Sequence, residues 1–209
     1  FIEALESIRR LIDELRHMGI EIKYLDMGGG LGITYDNESP PHPREYARAI
    51  VDSLKGAHLK LILEPGRVIV GNAGILVTQV LFRKSSRVKE FVVADAGMND
   101  LMRPTLYSAF HAIEPVVRAA DDPITADVVG PICESADFLA QDRKINNVKK
   151  GDLLAVMSAG AYGFTMSSNY CSRPRVAEVM VKDDSFYVVR NRESYQDLVV
   201  SESIPPFLE

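Results

Sequence analysis

A carboxylate and a guanidinium lie close together in the stretch Glu64, Pro65, Gly66, Arg67, which directly follows an apolar run over residues 59–63. Such a run, closed by Pro and Gly, is typical of a short strand and the turn after it. A carboxylate at a strand end can keep a ring nitrogen protonated, which makes the ring an electron sink. A guanidinium can bind a carboxylate or phosphate through two parallel hydrogen bonds. The alternative is an internal ion pair between Glu64 and Arg67.

A second stretch of this kind contains Gly28, Gly29, Gly30 and Gly32, and it follows a predicted strand over residues 22–27. Glycines let the backbone approach an anion closely and point successive N–H groups at it. A dinucleotide fingerprint is excluded because its last glycine position is Ile33. The sequence therefore predicts either a phosphate-binding loop or a tight turn without a ligand.

The elements that position these two stretches are predicted to be consecutive βα units of a parallel sheet. Helical periodicity covers residues 2–15 and 44–54, and the strands over 22–27 and 59–63 alternate with these helices. From residue 73 onward the pattern changes to short strands separated by turns, which is typical of a β-sandwich or β-barrel. These predicted strands cover residues 75–82, 88–94, 124–129, 152–157, 175–181 and 185–189. We therefore predict two domains, over residues 1–72 and 73–209.

The α/β part is too short for a complete domain of its kind. A closed (β/α)₈ barrel takes about 250 residues, whereas only residues 1–72 show the α/β pattern. The helical pattern also begins at Phe1. We expect the last βα units of a TIM barrel followed by a C-terminal β-barrel or sandwich domain, in a chain that is the C-terminal part of a larger protein.

Composition excludes several classes of function. The formal net charge is −5 and acids are interspersed with bases, so we expect no nucleic-acid partner. The longest apolar runs fall short of the roughly 20 residues of a membrane span, so we expect no membrane partner. Cys133 and Cys171 are too few for a disulfide framework, which favours a reducing, cytoplasmic compartment. The four histidines lack ligand spacing, so no metal site is predicted.

Five segments, taken in order, resemble the fold-type III, alanine-racemase-like decarboxylases that use pyridoxal phosphate. Each segment is weak evidence alone, but the ordered set covers nearly the whole chain. The segments are Gly-Gly-Gly-Leu-Gly at 28–32, Glu-Pro-Gly-Arg at 64–67, Met-Arg-Pro-Thr-Leu-Tyr at 102–107, Gly-Pro-Ile-Cys-Glu-Ser-Ala-Asp at 130–137 and Gly-Ala-Tyr-Gly at 160–163.

The resemblance implies a role for each candidate site residue. The cofactor would be held by the glycine loop, by residues 64–67 and by Tyr162, with Glu64 on the pyridine nitrogen. The substrate's distal carboxylate would bind Arg67, Arg103 and Tyr107, beside Tyr162. Glu134 would meet the distal amino group, and Cys133 would be the catalytic proton donor.

Each of these residues also has an ordinary structural explanation. Cys133 fits a small core residue at a strand end. Arg103 and Tyr107, four residues apart, fit one side of a helical turn. Tyr162 fits a core tyrosine among small neighbours.

The resemblance further implies a homodimer with shared active sites and loss of CO₂ from meso-diaminopimelate to give L-lysine. Relatives acting on ornithine, arginine or carboxynorspermidine, and non-catalytic binding relatives, remain alternatives. In the family, the lysine that carries the cofactor lies on an early barrel strand. Lys23, Lys55, Lys149 and Lys150 have no matching context. These 209 residues alone are therefore expected to be inactive.

Overall fold

A computed structural model describes residues 2–117 and 122–208. The first part is α/β, as predicted. Helices α1 and α2 alternate with the short strands β1 and β2, which pair in parallel from Tyr24↔Lys60 to Asp26↔Ile62. Leu5 of α1 and Ile50 of α2 are both buried. The elements are α1 (Ile2–His17), β1 (Tyr24–Asp26), α2 (Pro43–Ser53), β2 (Lys60–Ile62) and α3 (Arg67–Val70).

The second part is built on a six-stranded sheet with the order β5-β8-β3-β4-β6-β7. Neighbouring strands are antiparallel, except that β4 and β6 run in parallel. The core cluster on this sheet includes Val80, Val92, Leu101, Val128 and Leu154. The elements are β3 (Leu76–Ser85), β4 (Glu90–Ala94), α4 (Arg103–Tyr107), β5 (Ile113–Pro115), β6 (Ile124–Val129), β7 (Phe138–Ile145) and β8 (Leu153–Val156).

Strands β5 and β7 were missing from the sequence-based prediction. Strand β7 contains the polar run Gln141-Asp142-Arg143-Lys144, and Asp142 has a left-handed φ of 45°, so regular alternation is lost. Strand β5 is only three residues long and ends at a proline.

A further difference concerns the last two strands, β9 (Glu178–Lys182) and β10 (Ser185–Arg190). They form a separate antiparallel pair instead of joining the larger sheet. They are followed by α5 (Tyr195–Val199).

The loop after β8 connects the two parts of the chain. The N–H of Ala159 donates to the carbonyl of Gly74 at 2.8 Å, and the N–H of Gly160 donates to the carbonyl of Gly71 at 3.1 Å. A Cβ atom at Gly160 would collide with the carbonyl oxygen of Val70, so this approach requires glycine. The loop is therefore fixed beside α3. The domain boundary at residues 72/73 stays a prediction.

In the part of the chain that the structure describes, no helix is long and apolar enough to cross a membrane.

Candidate active site

The two strand ends singled out in the sequence lie side by side. Beyond the β1/β2 ladder, the N–H of Glu64 donates to the carbonyl of Gly28 at 2.8 Å. The N–H of Gly28 in turn donates to the side chain of Asp26 at 2.8 Å. A Cβ atom at Gly29 would collide with the carbonyl oxygen of Glu64. The glycine loop and the segment after β2 therefore form one packed unit.

This unit has the features of an anion-binding loop. Gly28 and Gly30 have left-handed φ values of 64° and 97°. Within residues 2–117 and 122–208, the N–H groups of Gly29, Gly30 and Gly32 have no hydrogen-bond acceptor. Unpaired backbone N–H groups in a glycine-rich turn suit a phosphate, which accepts several such bonds. The loop therefore fits the phosphate of a cofactor such as pyridoxal phosphate.

Glu64 and Arg67 do not form the internal ion pair that was the alternative explanation of their spacing. The ion pairs found among the described residues include neither of them. Glu64 is exposed, whereas Arg67 begins α3. Both side chains are thus available to a ligand.

Four predicted site residues line one cavity of about 290 Å³. Arg103 and Tyr107 come from the two ends of α4, Arg67 comes from α3, and Tyr162 comes from the loop after β8. The Tyr162 hydroxyl also lies 3.5 Å from the position of a Cβ atom at Gly66, which links the cavity to the segment after β2. Met166 completes the lining.

The cavity carries two guanidinium groups without a counter-ion. None of the described carboxylates lies within ion-pair distance of Arg67 or Arg103. The ring of Tyr35 lies against both, with its centroid 4.5 Å from the Arg103 guanidinium carbon and 6.0 Å from that of Arg67. Cation–π contact favours a guanidinium but does not neutralise it. The cavity is therefore suited to a ligand carboxylate.

His111 and Tyr35 are residues of this region that the sequence analysis missed. His111 is fully buried; its Nε2 lies 2.9 Å from a terminal guanidinium nitrogen of Arg103 and its Nδ1 lies 2.8 Å from the carbonyl of Met157. Burial lowers the pKa of His111, and the nearby charges of Arg103 and Arg143 act in the same direction. His111 follows Arg103 by eight residues, and this spacing does not predict a contact between the two side chains.

Cys133 and Glu134 do not line this cavity. Both are exposed on the loop between β6 and β7. Glu134 accepts a hydrogen bond from the Tyr170 hydroxyl at 3.3 Å, and this bond raises the pKa of Tyr170. The hydroxyl of Thr105 in α4 donates to the carbonyl of Ala136 at 2.7 Å. The loop that carries Cys133 is thus bonded to the helix that carries Arg103, although the side chains of Cys133 and Glu134 do not line the cavity.

The buried carboxylate of Asp137 holds the same loop in shape. It accepts the N–H groups of Met98 and Ile132, each at 2.6 Å. Burial raises the pKa of Asp137, although these two backbone bonds oppose the shift. Gly97 and Gly130 lie so close to the carboxylate that a Cβ atom at either position would contact it at 2.6 or 2.5 Å.

None of the lysines lines the cavity. Lys55 is exposed and pairs with Asp52, and Lys89 pairs with Asp127 and Asp142. Among the described residues, no group of three or more His, Cys, Asp and Glu side chains could hold a metal ion.

Comparison with known proteins identifies the family. Residues 16–160 match the family profile described as pyridoxal-dependent decarboxylase, C-terminal sheet domain. Diaminopimelate decarboxylase of Aquifex aeolicus is 52% identical over 203 residues, which make up 97% of this chain and 48% of that relative. The enzyme of the same name from Vibrio cholerae is 52% identical over 207 residues, or 99% of this chain and 49% of the relative.

Solved structures agree with the sequence relatives. Diaminopimelate decarboxylase of M. jannaschii in complex with L-lysine has a TM-score of 0.93 and 37% identity, covering 100% of this chain and 49% of that structure. The Helicobacter pylori enzyme, also in complex with L-lysine, has a TM-score of 0.87 and 42% identity, covering 96% and 50%. This chain therefore has the fold of the corresponding part of these fold-type III enzymes. Only the last βα units of a TIM barrel were expected from the sequence of this chain. Strands β1 and β2 form a two-stranded parallel sheet, and a TIM barrel is not shown within the chain.

The chain spans about half the length of the curated relatives that it matches. The matched part contains the glycine loop, the segment after β2 and all six strands of the larger sheet. The predicted resemblance is confirmed, and the chain belongs to the family of pyridoxal-dependent decarboxylases.

Proposed function

We propose that this chain supplies the C-terminal half of a decarboxylase that converts meso-diaminopimelate to L-lysine with pyridoxal phosphate. The observation that carries the proposal is the cavity in which Arg67 and Arg103 lie without a described counter-ion, beside Tyr107 and Tyr162. Two guanidiniums in one cavity suit a substrate that keeps a carboxylate at its unreactive end. Ornithine and arginine have only the carboxylate that is lost.

The cofactor site of the proposal lies in the unit formed by the glycine loop and the segment after β2. When bound, pyridoxal phosphate supplies an electron sink for the carbanion left by CO₂. The N–H groups of Gly29 and Gly30 would hold its phosphate, with Gly28, Pro65 and Gly66 shaping the backbone. The free carboxylate of Glu64 would keep the pyridine nitrogen protonated, which no amide at this position can do.

The two charged groups at the substrate's distal end would bind different residues. Arg67, Arg103 and Tyr107 would bind the distal carboxylate in the cavity, beside Tyr162. Glu134 would bind the distal ammonium. Burial of charge-assisted hydrogen bonds of this kind orients a substrate as well as holding it.

The proton donor of the proposal is Cys133, and it would act in the active site of a second subunit. Cys133 is exposed and does not line the cavity of its own chain. A homodimer in which each subunit inserts this loop into the other's site would place Cys133 and Glu134 beside the reacting carbon. Two free thiols fit a cytoplasmic location.

The lysine that carries the cofactor would come from the half of the protein that this chain does not match. None of the chain's own lysines lies in the cavity. We therefore expect the 209 residues alone to be inactive. Incubation with pyridoxal phosphate, borohydride reduction and peptide mapping checks this, and stoichiometric labelling of one lysine within these residues would contradict it.

The test of the function itself uses the natural protein that carries this chain, purified with pyridoxal phosphate. It is incubated separately with meso-diaminopimelate, ornithine and arginine, and CO₂ and the amine product are measured. We expect CO₂ and L-lysine from meso-diaminopimelate and at most slow turnover of the others. Faster turnover of ornithine or arginine, or no CO₂ from any of the three, would overturn the proposal.

A further inference from the structure

We propose that His111 and Tyr35 are positioning residues that hold the Arg103 guanidinium in the orientation that binds the substrate's distal carboxylate, an inference that rests on the proposed function. Neither side chain lines the cavity. Both contact Arg103, His111 through a ring nitrogen at 2.9 Å and Tyr35 through its ring, whose centroid lies 4.5 Å from the guanidinium carbon.

The hydrogen bonds of His111 determine its protonation state. A guanidinium has only donors, so the Nε2 atom that faces Arg103 must be the acceptor. The proton of the neutral ring is then on Nδ1, which donates to the carbonyl of Met157 at 2.8 Å. Both ring nitrogens are satisfied only in this neutral tautomer. Protonation would replace the acceptor by a second cation facing Arg103.

The surroundings of His111 support the same state. Arg143 donates to the backbone carbonyl of His111 at 2.8 Å, so a second guanidinium lies nearby. The ring of Tyr35 meets the imidazole edge-on, with centroids 5.2 Å apart. Burial lowers the pKa of Arg143, and the nearby carboxylate of Asp36 opposes that shift. Burial and the two guanidiniums lower the pKa of His111, so the ring is neutral at physiological pH.

Tyr35 contributes a surface against which the guanidinium packs. Its ring faces Arg103 at 4.5 Å and Arg67 at 6.0 Å, so one ring lies against both cations of the cavity. The Tyr35 hydroxyl is buried and has no partner among the described residues. Within the described residues, the side chain therefore acts through its ring and not through a hydrogen bond of its hydroxyl.

Together the two residues restrict a side chain that otherwise has many rotamers. Arg103 is 8% exposed, and one of its terminal nitrogens is bonded to His111. Its remaining N–H groups are free for a carboxylate, since no described acid pairs with it. When the Arg103 guanidinium is already held in one orientation, less conformational entropy is lost on binding of the carboxylate.

The chain offers a matched pair of variants at position 111. In His111→Asn, the amide nitrogen can keep the bond to Met157 but leaves Arg103 without its acceptor. In His111→Gln, the longer amide can present an oxygen to Arg103 at the place of Nε2. Loss of a hydrogen bond to a charged group weakens the affected interaction by roughly tenfold or more. The Gln variant is expected to recover much of that loss.

The readout compares two competitive inhibitors of the holoenzyme of the natural protein. L-lysine keeps the distal carboxylate of meso-diaminopimelate, whereas cadaverine lacks it. We expect His111→Asn to weaken L-lysine inhibition by roughly tenfold while cadaverine inhibition is nearly unchanged. His111→Gln should stay close to the wild type for both. Equal weakening of both inhibitors, or no change with L-lysine, would overturn the inference.

If His111→Asn does not fold, Tyr35→Leu serves the same comparison, since it removes the ring surface while leaving His111 in place. A selective loss of L-lysine inhibition supports the inference, and an equal loss of both inhibitors overturns it. Failure of the proposed function is recognised separately, because the wild-type protein would then release no CO₂ from meso-diaminopimelate.

Discussion

The carbonyl oxygen of Glu64 lies in the space that a Cβ atom of Gly29 would occupy. This contact joins the ends of two parallel strands, and the N–H groups of Gly29, Gly30 and Gly32 have no acceptor among the described residues. The same backbone approach places Glu64 next to the loop proposed to hold the phosphate. One glycine thus fixes the relation between the two parts of the proposed cofactor site.

Gly29→Ala is expected to destabilise the protein and to weaken cofactor binding, because the new methyl group forces the two strand ends apart. Overpacking of this kind costs about 1–3 kcal/mol of unfolding free energy. The matched control is Gly32→Ala, whose Cβ would meet only Pro40 at 3.7 Å. Chemical denaturation and the absorbance of bound pyridoxal phosphate measure the two effects. Equal behaviour of the two variants would contradict the proposed packing.

Tyr35→Phe is expected to keep or slightly raise the stability of the protein. The hydroxyl that it removes is buried without a described partner, so its loss relieves a desolvation penalty. Tyr35→Leu, in contrast, should destabilise, because it removes the aromatic ring against Arg103 and His111. The midpoints of thermal unfolding of the wild type, Tyr35→Phe and Tyr35→Leu measure these changes in stability. A clear loss of stability in Tyr35→Phe would show that the hydroxyl has a partner.

Part of this arrangement follows from the sequence, and the reasons are local. Parallel strands end at the same edge of a sheet, so the closeness of Gly28 and Glu64 was predictable from two βα units. The spacing of Arg103 and Tyr107 predicted neighbours on one helical turn, and both do line the cavity.

Other parts depend on contacts that the sequence pattern does not contain. Tyr35 and His111 are single residues in loops, and only the tertiary fold brings them into contact with each other and with Arg103. Strand β7 was missed because Asp142 interrupts the alternation of apolar and polar residues along the strand. Asp142 has a left-handed φ and forms an ion pair with Lys89 at the edge of the sheet. Local propensity predicts a loop there, and pairing with β6 overrides it.

The protonation of His111 should make stability depend on pH. Its pKa is lowered in the folded state, so the unfolded chain binds more protons below about pH 6.5. The contribution of neutral His111 to the free energy of unfolding is therefore fully present above that pH, and it is lost as the pH falls toward the folded-state pKa. The raised pKa values of Asp100 and Asp137 act in the opposite direction, since the folded state then binds the extra protons.

Comparison of the wild type with His111→Gln isolates the histidine, because both proteins retain the two aspartates. Urea unfolding at pH 7.5 and pH 5.5 gives the free energy of unfolding in each case. We expect the wild type to lose more stability than the variant on acidification. An identical loss in both proteins would show that His111 does not remain neutral in the folded state.

The shared active site can be tested by mixing two defective subunits. Glu64→Gln is expected to lower turnover by roughly a hundredfold, because the amide cannot keep the pyridine nitrogen protonated. Cys133→Ala removes the proposed proton donor. If sites are shared, a mixed dimer has one site with both defects and one with neither. Random mixing makes about half the dimers mixed and restores roughly a quarter of the wild-type sites. Two parents that stay inactive after verified subunit exchange would show that Cys133 serves its own chain.

The proposed function requires that the cavity of Arg67, Arg103, Tyr107 and Tyr162 selects a substrate by its distal carboxylate. The most direct measurement compares kcat/KM of the natural protein for meso-diaminopimelate and for D-lysine, which differs only in lacking that carboxylate. A site built to bind a polar group rejects the analogue without it strongly, so we predict a ratio of roughly 10⁴ in favour of meso-diaminopimelate. Values of kcat/KM within tenfold of each other would contradict the claim.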